Sequence, residues 1–225
     1  MAAFSTHINV AVVAGGALAV SMHSARLIDN TEAVLMLFLT LVGTVLPDLD
    51  SDSSKPVKIA FRLFSLVAPL LLLLSFDKRV PLLYAALFWF FAWMLFELFF
   101  FKMVLPFTKH RGVFHTIGMG ILFGELFFAL FYYVFHTTAY LATLAGFFIL
   151  YGFIIHLLLD EIYSVDILGG RLKHSFGSAC KLYSKRNLVG SLLVYAAVGA
   201  GLWLLPIDFE GVERFFHALV HIPLI

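Results

Sequence analysis

The chain has 225 residues, of which 62% are hydrophobic and 13% are charged, and its formal net charge is +1. Soluble domains are about 45–50% apolar and about 25% charged, so this composition predicts an integral membrane protein. A net charge this close to zero gives no electrostatic basis for binding nucleic acid. The single cysteine, Cys180, excludes an intrachain disulfide and a cysteine-rich zinc module.

Apolar segments of about 20 residues are long enough to cross a bilayer as helices. Seven such segments are expected, at 8–25, 32–47, 57–76, 80–102, 113–136, 138–159 and 187–206. We therefore predict an all-α, polytopic transmembrane bundle of about seven spans, folded as a single domain over residues 1–225. Residues 160–186 are predicted to form a basic amphipathic loop with a short surface helix. Residues 212–225 are too short to span, and we expect them to lie at the membrane interface.

Four polar motifs stand at the ends of these predicted spans. They are His7, LPDLDSD at 46–52, HRGVFHT at 110–116 and HLLLDE at 156–161. Because each crossing reverses the side of the membrane, all four are expected at one face of the bundle. Ionisable groups beside a membrane interior are costly, which favours a functional role for them.

The carboxylates in these motifs have the spacing of metal ligands. His156 and Asp160 are four residues apart, on one face of a helix. They could bind one metal, Asp160 could orient His156 from behind, or the pair could simply cap the helix end. Asp48 and Asp50 alternate after Pro47 and offer oxygen ligands for a divalent ion, with a solvated acidic loop as the alternative.

The histidine motif at 110–116 combines two imidazoles with an arginine. His110 and His115 are five apart and do not share a face of one straight helix, so one of them is expected in the preceding turn, which Gly112 would permit. Arg111 offers a bidentate fork for phosphate or carboxylate. The alternative is that Arg111 only anchors the topology and His115 only packs. His7 is included as a candidate ligand only because it is expected on the same face of the bundle as the other motifs.

Together these motifs predict a ligand set of nitrogen and oxygen without thiolate. The predicted metal ligands are His7, Asp48, Asp50, His110, His115, His156 and Asp160. Such a set suits Zn or Mn, with Fe as a further candidate, as one ion or as two about 3.5–4 Å apart. Asp50 or His115 is the expected general base. The residues predicted to contact an anionic substrate are Arg111, Arg171, Lys173, His174 and Ser175. For His174 and Ser175 a solvated loop is the plain alternative.

The distribution of cations predicts the orientation. Eleven Lys and Arg residues fall on the side of the four motifs and four on the other side. Positive residues accumulate on the cytoplasmic side of membrane proteins, so the motifs and the N-terminus are expected there.

The motifs LPDLDSD, HRGVFHT and HLLLDE, in this order after an N-terminal histidine, resemble those of a known family. This is the YdjM-like family of membrane-bound, metal-dependent hydrolases of the inner membrane, some of them LexA-regulated. The resemblance covers residues 7 to about 176. Phe114 and Thr116 stand where the family usually has Thr and Ser, and RLKHSF after Gly169-Gly170 replaces a Leu/Trp-Pro-Phe pattern. The resemblance implies a hydrolase in a bacterial or archaeal cytoplasmic membrane.

A site at the level of the lipid headgroups favours a lipid substrate. We therefore expect hydrolysis of a phosphoester of a membrane lipid or lipid-linked phosphate, a reaction of lipid metabolism that uses metal-activated water. A divalent-metal or proton-coupled transporter is the alternative, since Glu97 and Glu125 fall inside predicted spans. A non-catalytic membrane adaptor is the third hypothesis. The sequence leaves the oligomeric state open.

Overall fold

The computed structural model describes residues 3–50, 65–66, 81–97, 112–166, 171–172, 180–185 and 187–220. The helices are α1 (Phe4–Ser24), α2 (Asn30–Val45), α3 (Leu82–Glu97), α4 (Ile117–Ala129), α5 (Ala139–Ile162), α6 (Leu188–Leu204) and α7 (Phe209–Val220). A 3-10 helix, Leu46–Asp50, continues α2, and a π-helical segment, Leu130–Val134, continues α4. The two-residue strands β1 (Val165–Asp166) and β2 (Arg171–Leu172) pair antiparallel.

The described helices confirm a helical membrane protein, and they account for four or five of the seven predicted spans. Four segments are long and apolar enough to cross a bilayer: Phe4–Ser24, Asn30–Asp48, Ile117–Val134 and Ala139–Ile162. A fifth is added if α6 and Phe209–Phe215, which bend by 94°, count as one broken span. The predicted span 57–76 lies outside the described residues except at 65–66, and α3 covers only part of 80–102. Seven spans are therefore not confirmed.

Polar side chains fix where several of these helices begin. In α2, Asp29 accepts a hydrogen bond from the N–H of Glu32 at 2.7 Å, and Glu32 accepts one from the N–H of Asp29 at 2.9 Å. This reciprocal capping box satisfies two N–H groups that a helix start leaves without partners. Thr116 caps α4 and Thr138 caps α5 in the simpler one-sided way. Local sequence therefore determines where α2, α4 and α5 begin.

Helix α5 is the centre of the bundle and packs against both α2 and α4. Glycines allow the backbones to touch. A Cβ added at Gly43 in α2 would overlap the carbonyl of Ile149 in α5, and one at Gly152 would overlap the carbonyl of Thr40. Small residues at such crossings are typical of membrane helices, where close packing replaces the hydrophobic effect. The end of α2 is consequently held directly against the C-terminal half of α5.

Two local expectations were wrong. His7 was expected before the first span, but it lies inside α1, which begins at Phe4. The loop expected from residue 160 begins later, because α5 continues through Asp160 to Ile162 and keeps that carboxylate buried in the bundle. In its described part, residues 163–166, 171–172 and 180–185, this connection contains the strand pair. The expected short surface helix stays a prediction, because the rest of the connection lies outside the described residues. The interfacial position of 212–225 stays a prediction; α7 begins before it, at Phe209.

Candidate metal centre

Five ionisable side chains from four separate parts of the chain meet at one end of the bundle. His7 comes from the start of α1, Asp48 follows α2, His115 lies two residues before α4, and α5 supplies His156 and Asp160. The three histidines and Asp160 are buried, whereas the Asp48 side chain is 17% exposed. The cluster therefore lies just inside the protein and reaches its surface at Asp48.

The first group that could hold a metal ion consists of His7, His156 and Asp160. His7 Nε2 lies 3.3 Å from Asp160 Oδ1, and His156 Nε2 lies 3.9 Å from Asp160 Oδ2. The two imidazole rings stack with centroids 4.0 Å apart and planes inclined by 9°. One ligand atom from each residue lies within 4.8 Å of the others, a separation that one ion can bridge.

The second group consists of Asp48, His115 and His156. Asp48 Oδ1 lies 3.6 Å from His156 Nε2 and 3.9 Å from His115 Nε2. The His115 ring meets the His156 ring edge-on, with planes inclined by 68° and centroids 5.8 Å apart. This group contains the exposed carboxylate, so it forms the outer part of the cluster, and His7 with Asp160 forms the inner part.

His156 belongs to both groups and has a fixed ring orientation. Its Nδ1 lies 2.8 Å from the carbonyl oxygen of Thr44, so Nδ1–H donates and the lone pair stays on Nε2. Among the described residues, His156 Nε2 is buried and has no hydrogen-bond partner. A single nitrogen lone pair binds one metal ion. Because both groups include His156, only one of them can have all three of its residues bound to an ion at a given time.

The sequence explains why the carbonyl of Thr44 is free to accept this bond. In the 3-10 turn that begins at Leu46, the N–H of residue 47 would normally pair with it, but residue 47 is a proline and has no N–H. The Thr44 hydroxyl shares its single proton between the carbonyls of Thr40 at 2.9 Å and Gly152 at 3.0 Å. Sequence reasoning missed Thr44, and Pro47 was the signal that could have revealed it.

The nitrogen and oxygen ligand atoms of these residues suit a divalent cation. Removing a carboxylate from water costs several kcal/mol unless a positive charge compensates it, and Asp48 with Asp160 brings two negative charges. One divalent ion would balance both. Imidazole nitrogens with carboxylate oxygens are a ligand set that Zn and Mn accept. His156 Nε2 is buried and has no hydrogen-bond partner among the described residues, so its lone pair is available to bind the ion.

The remaining predicted site residues cannot be placed around this cluster. Asp50 contributes backbone to the 3-10 helix and Arg171 contributes backbone to β2, but their side chains lie outside the described part of the structure. The other predicted residues, all outside the described ranges, are His110, Arg111, Lys173, His174 and Ser175.

One cationic residue that the sequence reasoning did not select lies beside the cluster. The N–H of Ile117 donates to the carbonyl of Lys181 at 3.0 Å. Lys181 also forms an isolated parallel β-bridge with Thr116, the residue after His115. Because Thr116 also caps α4 with its hydroxyl, the start of α4 is held from two directions. These contacts therefore hold the backbone of Lys181 next to the outer group. Spacing along the chain gave no signal of this contact, since 65 residues separate Lys181 from Thr116.

The profile of the family described as YdjM inner membrane protein matches residues 1–172. This range includes all five residues of the cluster and confirms the resemblance seen in the motifs. No curated protein and no solved structure matches the chain.

Proposed function

The chain belongs to the YdjM inner membrane protein family, and we propose that it is a metal-dependent hydrolase that cleaves a phosphoester of a membrane lipid or lipid-linked phosphate. One observation carries the proposal: three imidazoles and two carboxylates from distant segments meet at one end of a membrane bundle. Structural packing alone gives no reason to gather two carboxylates there, since burying them is costly. A catalytic cation gives such a reason.

The position of the cluster along the helices supports a lipid substrate. His156 is six residues from the last residue of α5, or about 9 Å along the helix axis, and Asp160 is closer still. His7 lies in the first turn of α1, and His115 precedes the first residue of α4. All five groups are therefore near helix ends, and we place them at the depth where phospholipids carry their phosphates. We place this end at the cytoplasmic face, following the distribution of Lys and Arg in the sequence.

We assign the roles of the residues according to the group to which each belongs. His7, His156 and Asp160, the inner group, would hold the ion, which when bound supplies Lewis acidity and a nucleophile at neutral pH. His115 would take up a proton during the reaction, and the neighbouring Asp48 carboxylate would stabilise the imidazolium that results. Asp50 remains the alternative base.

An anionic phosphate also needs positive groups to offset charge that grows in the transition state. Lys181, whose backbone is held beside the start of α4, is the candidate that the described structure adds. Arg111, Arg171 and Lys173 are the further candidates from the sequence.

The test is a lipid-hydrolysis assay with the purified protein reconstituted in vesicles. Three substrate types are compared: a glycerophospholipid, a polyprenyl phosphate or diphosphate, and a soluble phosphate ester. We expect turnover of a lipid substrate that a chelator abolishes and that added Zn or Mn restores. His156→Ala should be inactive, whereas His217→Ala, a change to an exposed histidine of α7, should retain activity. Absence of metal-dependent turnover on every lipid tested would contradict the proposal.

A further inference from the structure

A second ionisable group lies inside the bundle, far from the metal centre. Glu125 belongs to α4, within the apolar segment Ile117–Val134, and is only 8% exposed. It follows His115 by ten residues, which corresponds to about 15 Å along a helix. Among the described residues, neither of its carboxylate oxygens has a hydrogen-bond partner. The metal centre and the proposed reaction make no use of it.

The carboxyl group packs directly against a glycine of α6. A Cβ added at Gly201 would lie 2.6 Å from Glu125 Cδ and would overlap one of its oxygens. Two residues earlier, Gly199 has no atom within 4 Å of the same hypothetical Cβ. The missing side chain at Gly201 therefore makes the space that Glu125 occupies, and Gly199 serves as an internal comparison.

The electrostatic surroundings of this space oppose a negative charge. Gly201 begins the last turn of α6, where the helix dipole is negative. Its own carbonyl accepts from the N–H of Leu205 at 2.9 Å, but carbonyls nearer the end of the helix lack their usual intrahelical donors. The usual donor to the carbonyl of Leu202 would be residue 206, which is a proline. The next N–H, that of Ile207, donates instead to Leu205 at 2.9 Å. An ionised carboxylate here would meet the negative end of a helix.

An isolated carboxylate in an apolar interior is far more costly than the neutral acid. We propose that Glu125 is a proton-binding site inside the membrane, separate from the metal centre, where a neutral carboxylic acid lies against Gly201 at the α4–α6 contact. Intramembrane carboxyl groups that bind protons are characteristic of proton pathways. The proposal does not depend on hydrolase activity or on a bound metal.

Infrared spectroscopy of the protein in lipid vesicles at pH 7 tests this directly. The C=O stretch of a protonated carboxylic acid is separate from the carboxylate bands and shifts when the exchangeable proton is replaced by deuterium. We expect wild type to show such a band at the high-frequency end, since the group has no hydrogen-bond partner among the described residues. Glu125→Gln, which has nearly the same shape and no acidic proton, should lack it.

Two glycine variants provide matched controls. Gly201→Ala should displace the carboxyl group and shift the band, whereas Gly199→Ala should leave it unchanged because its added methyl group meets nothing. If wild type lacks the band, Glu125 is ionised and the proposal is wrong. If the band persists undiminished in Glu125→Gln, another carboxyl group produces it, and this result also contradicts the proposal. Equal effects of the two glycine variants would refute the placement against Gly201.

Discussion

Replacing His156 by alanine is the sharpest test of the metal centre, because both possible ligand groups include this residue. Its Nδ1 is engaged by the Thr44 carbonyl, so Nε2 is its one available ligand atom. Without it, each group falls from three protein ligands to two. We expect wild type to bind one equivalent of divalent ion through the described cluster and His156→Ala to bind none.

The effect on stability follows from the two carboxylates. Without a cation, Asp48 and Asp160 repel each other across the cluster, and binding of the ion to the folded state removes that cost. At a free-ion concentration about 1,000 times Kd, binding stabilises the folded state by about 4.1 kcal/mol. For a chain of this size, 1 kcal/mol corresponds to about 2–4 °C in Tm, so chelation should lower the Tm of wild type by roughly 8–16 °C.

Two measurements check this. The metal content of the washed, detergent-solubilised protein is determined by mass spectrometry, and thermal unfolding is followed by tryptophan fluorescence with and without chelator, using the three tryptophans of the chain. His156→Ala should show no chelator-dependent shift. His217→Ala, an exposed histidine in α7, should behave as wild type in both measurements.

The single-histidine variants of the two groups show where the ion binds. Loss of metal in His7→Ala with retention in His115→Ala assigns the inner group, and the reverse result assigns the outer group. If His156→Ala keeps one equivalent of metal and the full chelator-dependent shift, the reasoning from the shared nitrogen is wrong. Two equivalents in wild type, with one retained in His156→Ala, would refute it equally.

Three further variants test the supports of the cluster. Thr44→Val removes the hydroxyl that bonds to Gly152 but keeps the backbone carbonyl, so unfolding in denaturant should show a loss of about 1 kcal/mol with unchanged metal content. Pro47→Ala restores an N–H that competes with His156 for the Thr44 carbonyl, and competition with a fluorescent chelator should show metal affinity reduced about 10–100-fold. Gly152→Ala places a methyl group against backbone of α2 and should lower the yield of folded protein and its metal content, whereas Gly16→Ala, with open space at its Cβ, should change neither.

Hydropathy and local chemistry predicted much of the fold correctly. The predicted spans 32–47, 138–159 and 187–206 agree with α2, α5 and α6 to within about three residues at each end. Convergence of the motifs was also predictable, since α1 with α2 and α4 with α5 each run out and back. Each pair therefore returns to the end from which it began. This is why His7 can meet Asp48, and why His115 can meet His156.

The internal geometry of the cluster could not be predicted, because it depends on how closely α2 and α5 approach. Spacing placed His156 and Asp160 on one face of a helix but did not show that His7 stacks on His156. Hydropathy also placed the end of α5 before Asp160, since an acidic residue lowers the score of any window. In the structure, α5 continues through Asp160, and Asp160 Oδ1 lies 3.3 Å from His7 Nε2 within the bundle.

The close approach and the ligands are parts of one pattern with a period of four. On α5, Gly152, His156 and Asp160 follow one another at intervals of four residues, so the stripe that touches α2 through a glycine continues directly into the two ligands. Facing it, Thr40, Thr44 and Asp48 have the same spacing at the end of α2, with a backbone contact, a carbonyl for His156 and a carboxylate in that order. Because each stripe combines packing with ligation, a change in the distance between the two helices must change the separation of the ligand atoms. Substitutions that push the two stripes apart, such as Gly152→Ala, should therefore reduce metal affinity even where no ligand is touched.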